Sequence, residues 1–212
     1  MKKIVLMMLV VTAGYLNFCN AQLLKNCGLK IGVTSADQKY DLKLAPGLET
    51  KRRVGFNVGA FAEWFDVPLF SLVTQVEYTQ RGMGQDFIVT GPSGPNPIGV
   101  KTLYSRLDYV SVPILGKLRF PSGPVSPYIV AGPRADFLVG YKSDEGAFNS
   151  VYDKFKKTSF GGSAGIGIQI ESLLPIAVLA EARYNFDFAD SYETDLLKVR
   201  NSAFDFWLGV AF

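Results

Sequence analysis

The sequence predicts an all-β protein, an eight-stranded antiparallel up-and-down transmembrane β-barrel, from three observations. Apolar residues recur with a period of two in eight separate segments and nowhere with a helical stripe of any length. The connections between those segments alternate between long polar loops and short proline-containing turns. One face of each segment is large and apolar, whereas the other is small, glycine-rich and sparsely charged with both signs.

The closing stretch AFDFWLGVAF (203–212) sets the pattern. Phe204, Phe206, Leu208, Val210 and Phe212 share one side of a strand, and Ala203, Asp205, Trp207, Gly209 and Ala211 share the other. The same alternation places Leu29, Ile31 and Val33 against Lys30, Gly32 and Thr34. It places Val54, Phe56 and Val58 against Gly55, Asn57 and Gly59. Phe70–Tyr78, Val110–Phe120, Ile129–Tyr141, Phe160–Ile170 and Val178–Phe186 complete the set. Pro113 and Pro133 fall inside two of these segments and mark either bulges or strand margins, because proline lacks a ladder donor.

Short turns are expected at 66–68, 121–126 and 172–175, and long loops at about 36–52, 84–103, 142–158 and 189–201. This arrangement puts all long loops at one end and both termini at the other. A membrane barrel with external loops and periplasmic termini has that plan.

The alternation alone also fits a secreted lipocalin-like barrel with its apolar face turned inward around a ligand. The polar face decides between them. A soluble barrel needs a surface dense in Lys and Glu, and here that face carries Gly32, Gly55, Gly59, Gly132, Gly165, Gly167 and Gly209. Its few charges suit a narrow lumen filled by side chains: Glu63, Glu77, Lys117, Arg119, Arg134, Glu171, Glu181 and Arg183 are the candidates for a lumenal ion-pair network. The large apolar face then meets lipid. Phe70 to Tyr78 covers about 26 Å of strand, roughly 20 Å of height at the usual tilt. Trp64 at one end and Tyr141 and Tyr184 at the other are placed to form interfacial aromatic girdles.

Residues 1–21 read as a signal peptide. Lys2 and Lys3 precede an apolar stretch from Ile4 to Gly14 that is too short to span a bilayer, and Cys19-Asn20-Ala21 is a small-residue cleavage site. Residues 22–212 are then the barrel domain, with Cys27 as the one cysteine left and no internal disulfide. A lipidated Cys19 is disfavoured by Asn17 and Phe18, where small residues are expected.

The formal net charge is +3 with no basic run, which gives nucleic-acid binding no electrostatic support. The chain has no histidine. That removes Ser-His and Asp-His nucleophile arrangements and the commonest transition-metal ligand, so neither catalysis nor a cofactor is expected. Glu77, Glu171 and Glu181 remain as a formal carboxylate set for glycosidase chemistry. They face Lys117, Arg119, Arg134 and Arg183, and an ion-pair network is the simpler reading. GGSAGIG (161–167) lacks the Lys-Ser/Thr of a phosphate loop and runs into a strand.

The long loops carry Phe87, Tyr104, Phe148, Tyr152, Phe155 and Tyr192. These aromatics either bind a partner or pack as a lid on the barrel. Tyr152, Lys154, Phe155, Lys156 and Lys157 form the candidate contact stretch.

The segments YTQRGMG (78–84), LDYVSVPILGKLRF (107–120) and PYIVAGPRADFLVG (127–140) resemble an outer-membrane β-barrel domain family common in Bacteroidetes and often called PorT-like. Tyr109, Pro113 and Lys117 occupy its Y-x-x-x-P-x-x-x-K strand. Pro127, Tyr128, Gly132 and Pro133 occupy its P-Y-x-x-x-G-P strand, with counterparts at Gly161–Gly167 and Arg183-Tyr184. The resemblance implies an integral outer-membrane location and contact with the lipid bilayer. It further implies a structural or interaction role, as an accessory to a protein secretion or assembly complex. Phe212 looks like the terminal aromatic signal read by outer-membrane insertion machinery. The alternatives are a narrow barrel that binds or passes a small apolar solute, and the lipocalin-like binder.

Overall fold

Strands whose two faces differ this sharply are satisfied when the sheet has an inside and an outside, and in the computed structural model of the protein the sheet closes on itself. The structure describes residues 24–42, 50–65, 67–90, 97–120, 123–144, 149–171, 176–193 and 197–212; the expected signal peptide lies outside the described residues. The elements are β1 (Leu24–Leu42), β2 (Lys51–Trp64), β3 (Phe70–Thr90), β4 (Pro97–Arg119), β5 (Val125–Ser143), a one-turn helix α1 (Asn149–Tyr152), β6 (Thr158–Glu171), β7 (Ala177–Asp187), a two-residue β8 (Tyr192–Glu193) and β9 (Leu197–Ala211).

Neighbouring strands are antiparallel in the order β1-β2-β3-β4-β5-β6-β7-β9, and β9 returns to β1. That seam runs from Gly28 opposite Ala211 to Leu42 opposite Leu197. The ring therefore has eight strands, and β8 only flanks the upper part of β9. At the foot of the seam the Cys27 amide donates to the Phe212 carbonyl at 3.0 Å, and the Phe212 amide donates back at 2.8 Å.

The faces fall as the alternation predicts. Ile31, Phe56, Ile114, Ile166, Leu208 and their partners point outward and are exposed, whereas Glu77, Lys117, Arg183 and Asp205 point inward and are buried. This overturns the lipocalin-like alternative, in which the apolar face lines the interior. Aromatic side chains collect at two levels of the outer wall. Trp64 donates from its indole to Thr74 Oγ1 at 2.8 Å near exposed Phe70 and Phe120. Towards the loop end the rings of Phe56 and Tyr78 lie 5.6 Å apart, and those of Tyr184 and Phe204 4.6 Å apart. Tyr141 instead hydrogen-bonds Asp153 just past α1.

Three expectations change. The loop expected over 36–52 is shortened, because β1 stays paired with β9 as far as Leu42 opposite Leu197. The connection expected as a loop over 84–103 is mostly ladder: β3 and β4 stay paired as far as Thr90 opposite Pro97. Polar composition misled here, because a hairpin standing above a membrane is wet on both faces and still makes its backbone bonds. Pro113 and Pro133 lie at neither bulges nor margins. Pairing lapses between Gln75/Val76 and Val112/Pro113, and between Ile114/Leu115 and Gly132/Pro133, but the register is the same on either side. The flanking bonds hold the alignment across the missing donors.

Gly82 marks a close approach. Its φ is 138°, and a Cβ there would stand 1.9 Å from the Ser105 carbonyl oxygen on β4.

Candidate functional site

Every second residue of each strand points into the lumen, and these inward side chains fill it in layers. Nearest the short turns lies an apolar layer of Phe61, Val73, Leu115, Tyr128, Val130, Leu179 and Ala211. Beside it Glu63 accepts from Ser71 at 2.7 Å and from Lys117 at 3.0 Å, with Arg119 at 3.4 Å. Lys117 also donates to Gln169 at 2.8 Å and sits 4.4 Å from the centre of the Tyr128 ring.

The next layer is built on Arg183. It donates to Glu77 at 2.8 Å, to Gln75 at 3.0 Å and to Glu181 at 2.5 Å. Glu181 also accepts from the Tyr128 hydroxyl at 3.1 Å and from Lys30 at 3.4 Å. Above it, Asp136 bridges Arg81 and Arg134, each at 2.8 Å, and accepts from Ser111 at 2.5 Å. Arg134 continues to Asp187 at 2.8 Å. Asn185 donates to Asp205 at 2.6 Å.

The buried cations Lys30, Arg81, Lys117, Arg119, Arg134 and Arg183 stand among seven buried carboxylates, Glu63, Glu77, Asp108, Asp136, Glu181, Asp187 and Asp205. Charges removed from water are tolerated when each is paired and hydrogen-bonded. Thr34, Asn57 and Thr79, on three adjacent strands, carry buried polar atoms with no protein partner, a spot polar enough for internal water.

The loop end is closed by a second apolar layer: Tyr40, Met83, Leu107, Tyr109, Tyr152, Phe155 and Val199. Tyr152 comes from α1 and donates to Gln38 at 3.1 Å, and Gln38 donates to Asn201 at 2.8 Å. Burial holds the Tyr152 hydroxyl above its ordinary pKa, so it stays a neutral donor. Phe155 meets Tyr152 edge-on at 4.9 Å and stacks on Tyr192 at 5.8 Å. The segment from α1 to β6 is thus a lid whose aromatics are inserted into the barrel mouth.

The structure brings together Glu63, Glu77, Lys117, Arg119, Arg134, Glu181 and Arg183 as lumenal ion pairs. Glu171 does not join them. It has lumenal parity but ends β6 opposite Ala177, is exposed, and forms no ion pair among the described residues. Tyr152 and Phe155 are buried under the lid, so only Lys154, Lys156 and Lys157 of that stretch are exposed. Sequence reasoning passed over Lys30, Arg81 and Asp187 as site residues. Their parity with Gly32, Glu77 and Arg183 on the same strands was the available signal.

Among the described residues no group of three or more Cys, Asp or Glu is arranged to hold a metal. Each lumenal carboxylate of the Arg183 layer already accepts from a cation, which leaves no poised acid and base pair there.

An apolar outer wall between aromatic levels, around a lumen packed with charges of both signs, defines a membrane-spanning β-barrel of the small closed kind. The chain belongs to the outer membrane protein beta-barrel domain family, whose model matches residues 20–193. It is an integral outer-membrane protein in contact with the lipid bilayer. No curated protein shows significant sequence similarity to the chain. Among solved structures it is similar to Neisserial surface protein A, at 19% identity and TM-score 0.43 over 89% of this chain and 99% of that one. It is also similar to OprG from Pseudomonas aeruginosa, at 12% identity and TM-score 0.45 over 89% and 95%. The attachment invasion locus protein Ail of Yersinia pestis, crystallised with the heparin analogue sucrose octasulfate, matches at 16% identity and TM-score 0.42 over 88% and 98%.

Proposed function

We infer that the protein is a non-catalytic outer-membrane barrel that acts through its loop end, as an accessory of an outer-membrane secretion or assembly complex of the PorT-like type. The observation that carries this reading is the occluded lumen: two apolar layers enclose a network of buried ion pairs, so the working surface is outside the barrel. Passage of a small apolar solute through the lumen fits poorly with that filling. In this reading the signal peptide is removed after Ala21, the termini and short turns face the periplasm, and the terminal Phe212 is read by the insertion machinery. The loop end then faces outward and presents Lys154, Lys156 and Lys157 on the lid to an acidic partner.

The test is extraction of the native outer membrane in mild detergent through a tag placed in the β3–β4 loop, followed by identification of what co-purifies. Stoichiometric secretion or assembly subunits, lost when the three lysines are replaced by glutamate, are the expected result. Elution as a lone, heat-modifiable barrel with unchanged behaviour of the lysine variant would overturn the accessory role.

A further inference from the structure

We propose that the outer wall at the top of the β1–β9 seam binds a phosphorylated sugar headgroup, the chemistry of a phosphoglycolipid in the leaflet on the loop side. The inference rests on the reading that the loop end faces out of the cell.

Outward positions on β1 run Leu29, Ile31, Val33 and on to Lys39; on β9 they run Leu208, Phe206, Phe204 and on to Arg200 and Lys198. Lys39 is directly opposite Arg200 in the ladder. Like charges facing each other across a strand pair are unfavourable by themselves. An anion seated between them turns that repulsion into attraction. Asp190 forms the floor and holds two of the cations side by side, accepting from Arg200 at 3.0 Å and approaching Lys198 at 3.6 Å. Lys39 makes no ion pair among the described residues.

A cavity of about 420 Å³ opens there, walled by the three cations with Asp41, Thr50 and Asp190. It is of the size that takes a small polar ligand. Two kinds of wall imply two kinds of ligand group: ammonium and guanidinium for a phosphate, carboxylate and hydroxyl for sugar hydroxyls. A bare phosphate would meet Asp41 unfavourably, whereas a phosphosugar can turn a hydroxyl towards it.

Depth agrees with a lipid source. Arg200 is four residues, or about 13 Å of strand, above the lipid-facing Phe204. Arg52 lies across the Phe204 ring at 5.1 Å and so extends the cationic wall down to the edge of the apolar band. That is where headgroups begin.

The experiment uses the folded barrel in phosphatidylcholine nanodiscs doped with an acylated, bisphosphorylated disaccharide or with its dephosphorylated form. Lipid retained after mild delipidation is read by native mass spectrometry. Wild-type protein is expected to retain one phosphorylated molecule, and a variant carrying Lys39→Gln and Arg200→Gln at least about tenfold less. Both proteins should stay heat-modifiable, since the two side chains are exposed. Equal retention by wild type and variant, or equal retention of the dephosphorylated lipid, would overturn the proposal. Inorganic phosphate displacing the glycolipid at equal concentration would assign the site to free phosphate and overturn the headgroup source. Labelling of a Lys154→Cys variant in intact cells with an impermeant maleimide reads the orientation separately: failure there sinks the outward loop end and leaves the nanodisc binding result standing.

Discussion

Arg81 and Asp136 meet at 2.8 Å inside the lumen although they lie on β3 and β5, strands that share no ladder. The contact spans the interior above the β4 strand that separates them in the wall. Arg134 reaches the same carboxylate at 2.8 Å, so one aspartate holds two arginines.

Removing that aspartate leaves two buried guanidinium groups short of their shared anion. Asp136→Ala is expected to lower stability by about 3–5 kcal/mol. Urea unfolding in lipid vesicles measures it. A loss below 1 kcal/mol would mean that the lumen is hydrated enough to screen the pair.

The membrane band is testable with a single charge. Ile31 faces outward between the two aromatic levels, opposite Val58 and Leu208, whereas Ile88 is exposed near the tip of the β3–β4 hairpin. Ile31→Arg should cost about 2–4 kcal/mol, and Ile88→Arg close to nothing. Similar values for both would place the band elsewhere.

The lid and the network beneath it are separate barriers. Phe155→Ala empties one position of the apolar cap, so the segment between β5 and β6 should become more sensitive to protease while the barrel unfolds at a nearly unchanged denaturant concentration. Planar-bilayer recordings should give negligible conductance for wild type and variant alike, because the Arg183 layer still blocks the path. A stable ohmic channel in the wild type contradicts the sealed lumen outright.

Backbone at Gly82 admits no side chain. Gly82→Ala brings a Cβ to 1.9 Å from the Ser105 carbonyl and forces a positive φ on alanine, a strain of roughly 1–3 kcal/mol before β4 shifts to relieve the clash. Gly99 on the same hairpin has nothing within 4 Å of its Cβ position. Gly99→Ala is therefore the matched control, and heat-modifiability of the two variants on a gel distinguishes them.

Alternation makes the two faces legible in the sequence, since the period of two is a property of the strand itself. Glu77, Arg134 and Arg183 were readable as lumenal for that reason. Glu171 has the same parity and fails, because parity says nothing of height and β6 ends there. The upper ladder was hidden by GPSGPNP (91–97): turn residues mark the tip of a hairpin, and polar flanks above the membrane carry no contrast between faces. Tyr152 and Phe155 look alike whether they face a partner or a barrel mouth, so the lid was one of two open readings.

Strand number, closure and the lipid-facing side follow from local chemistry written along the chain: side-chain size, charge and spacing against the pleat. Which cation meets which carboxylate does not. Arg81 finds Asp136, and Lys39 is set against Arg200, only once the ring has closed with a particular stagger, because closure brings strands distant in the chain to one height around a narrow lumen.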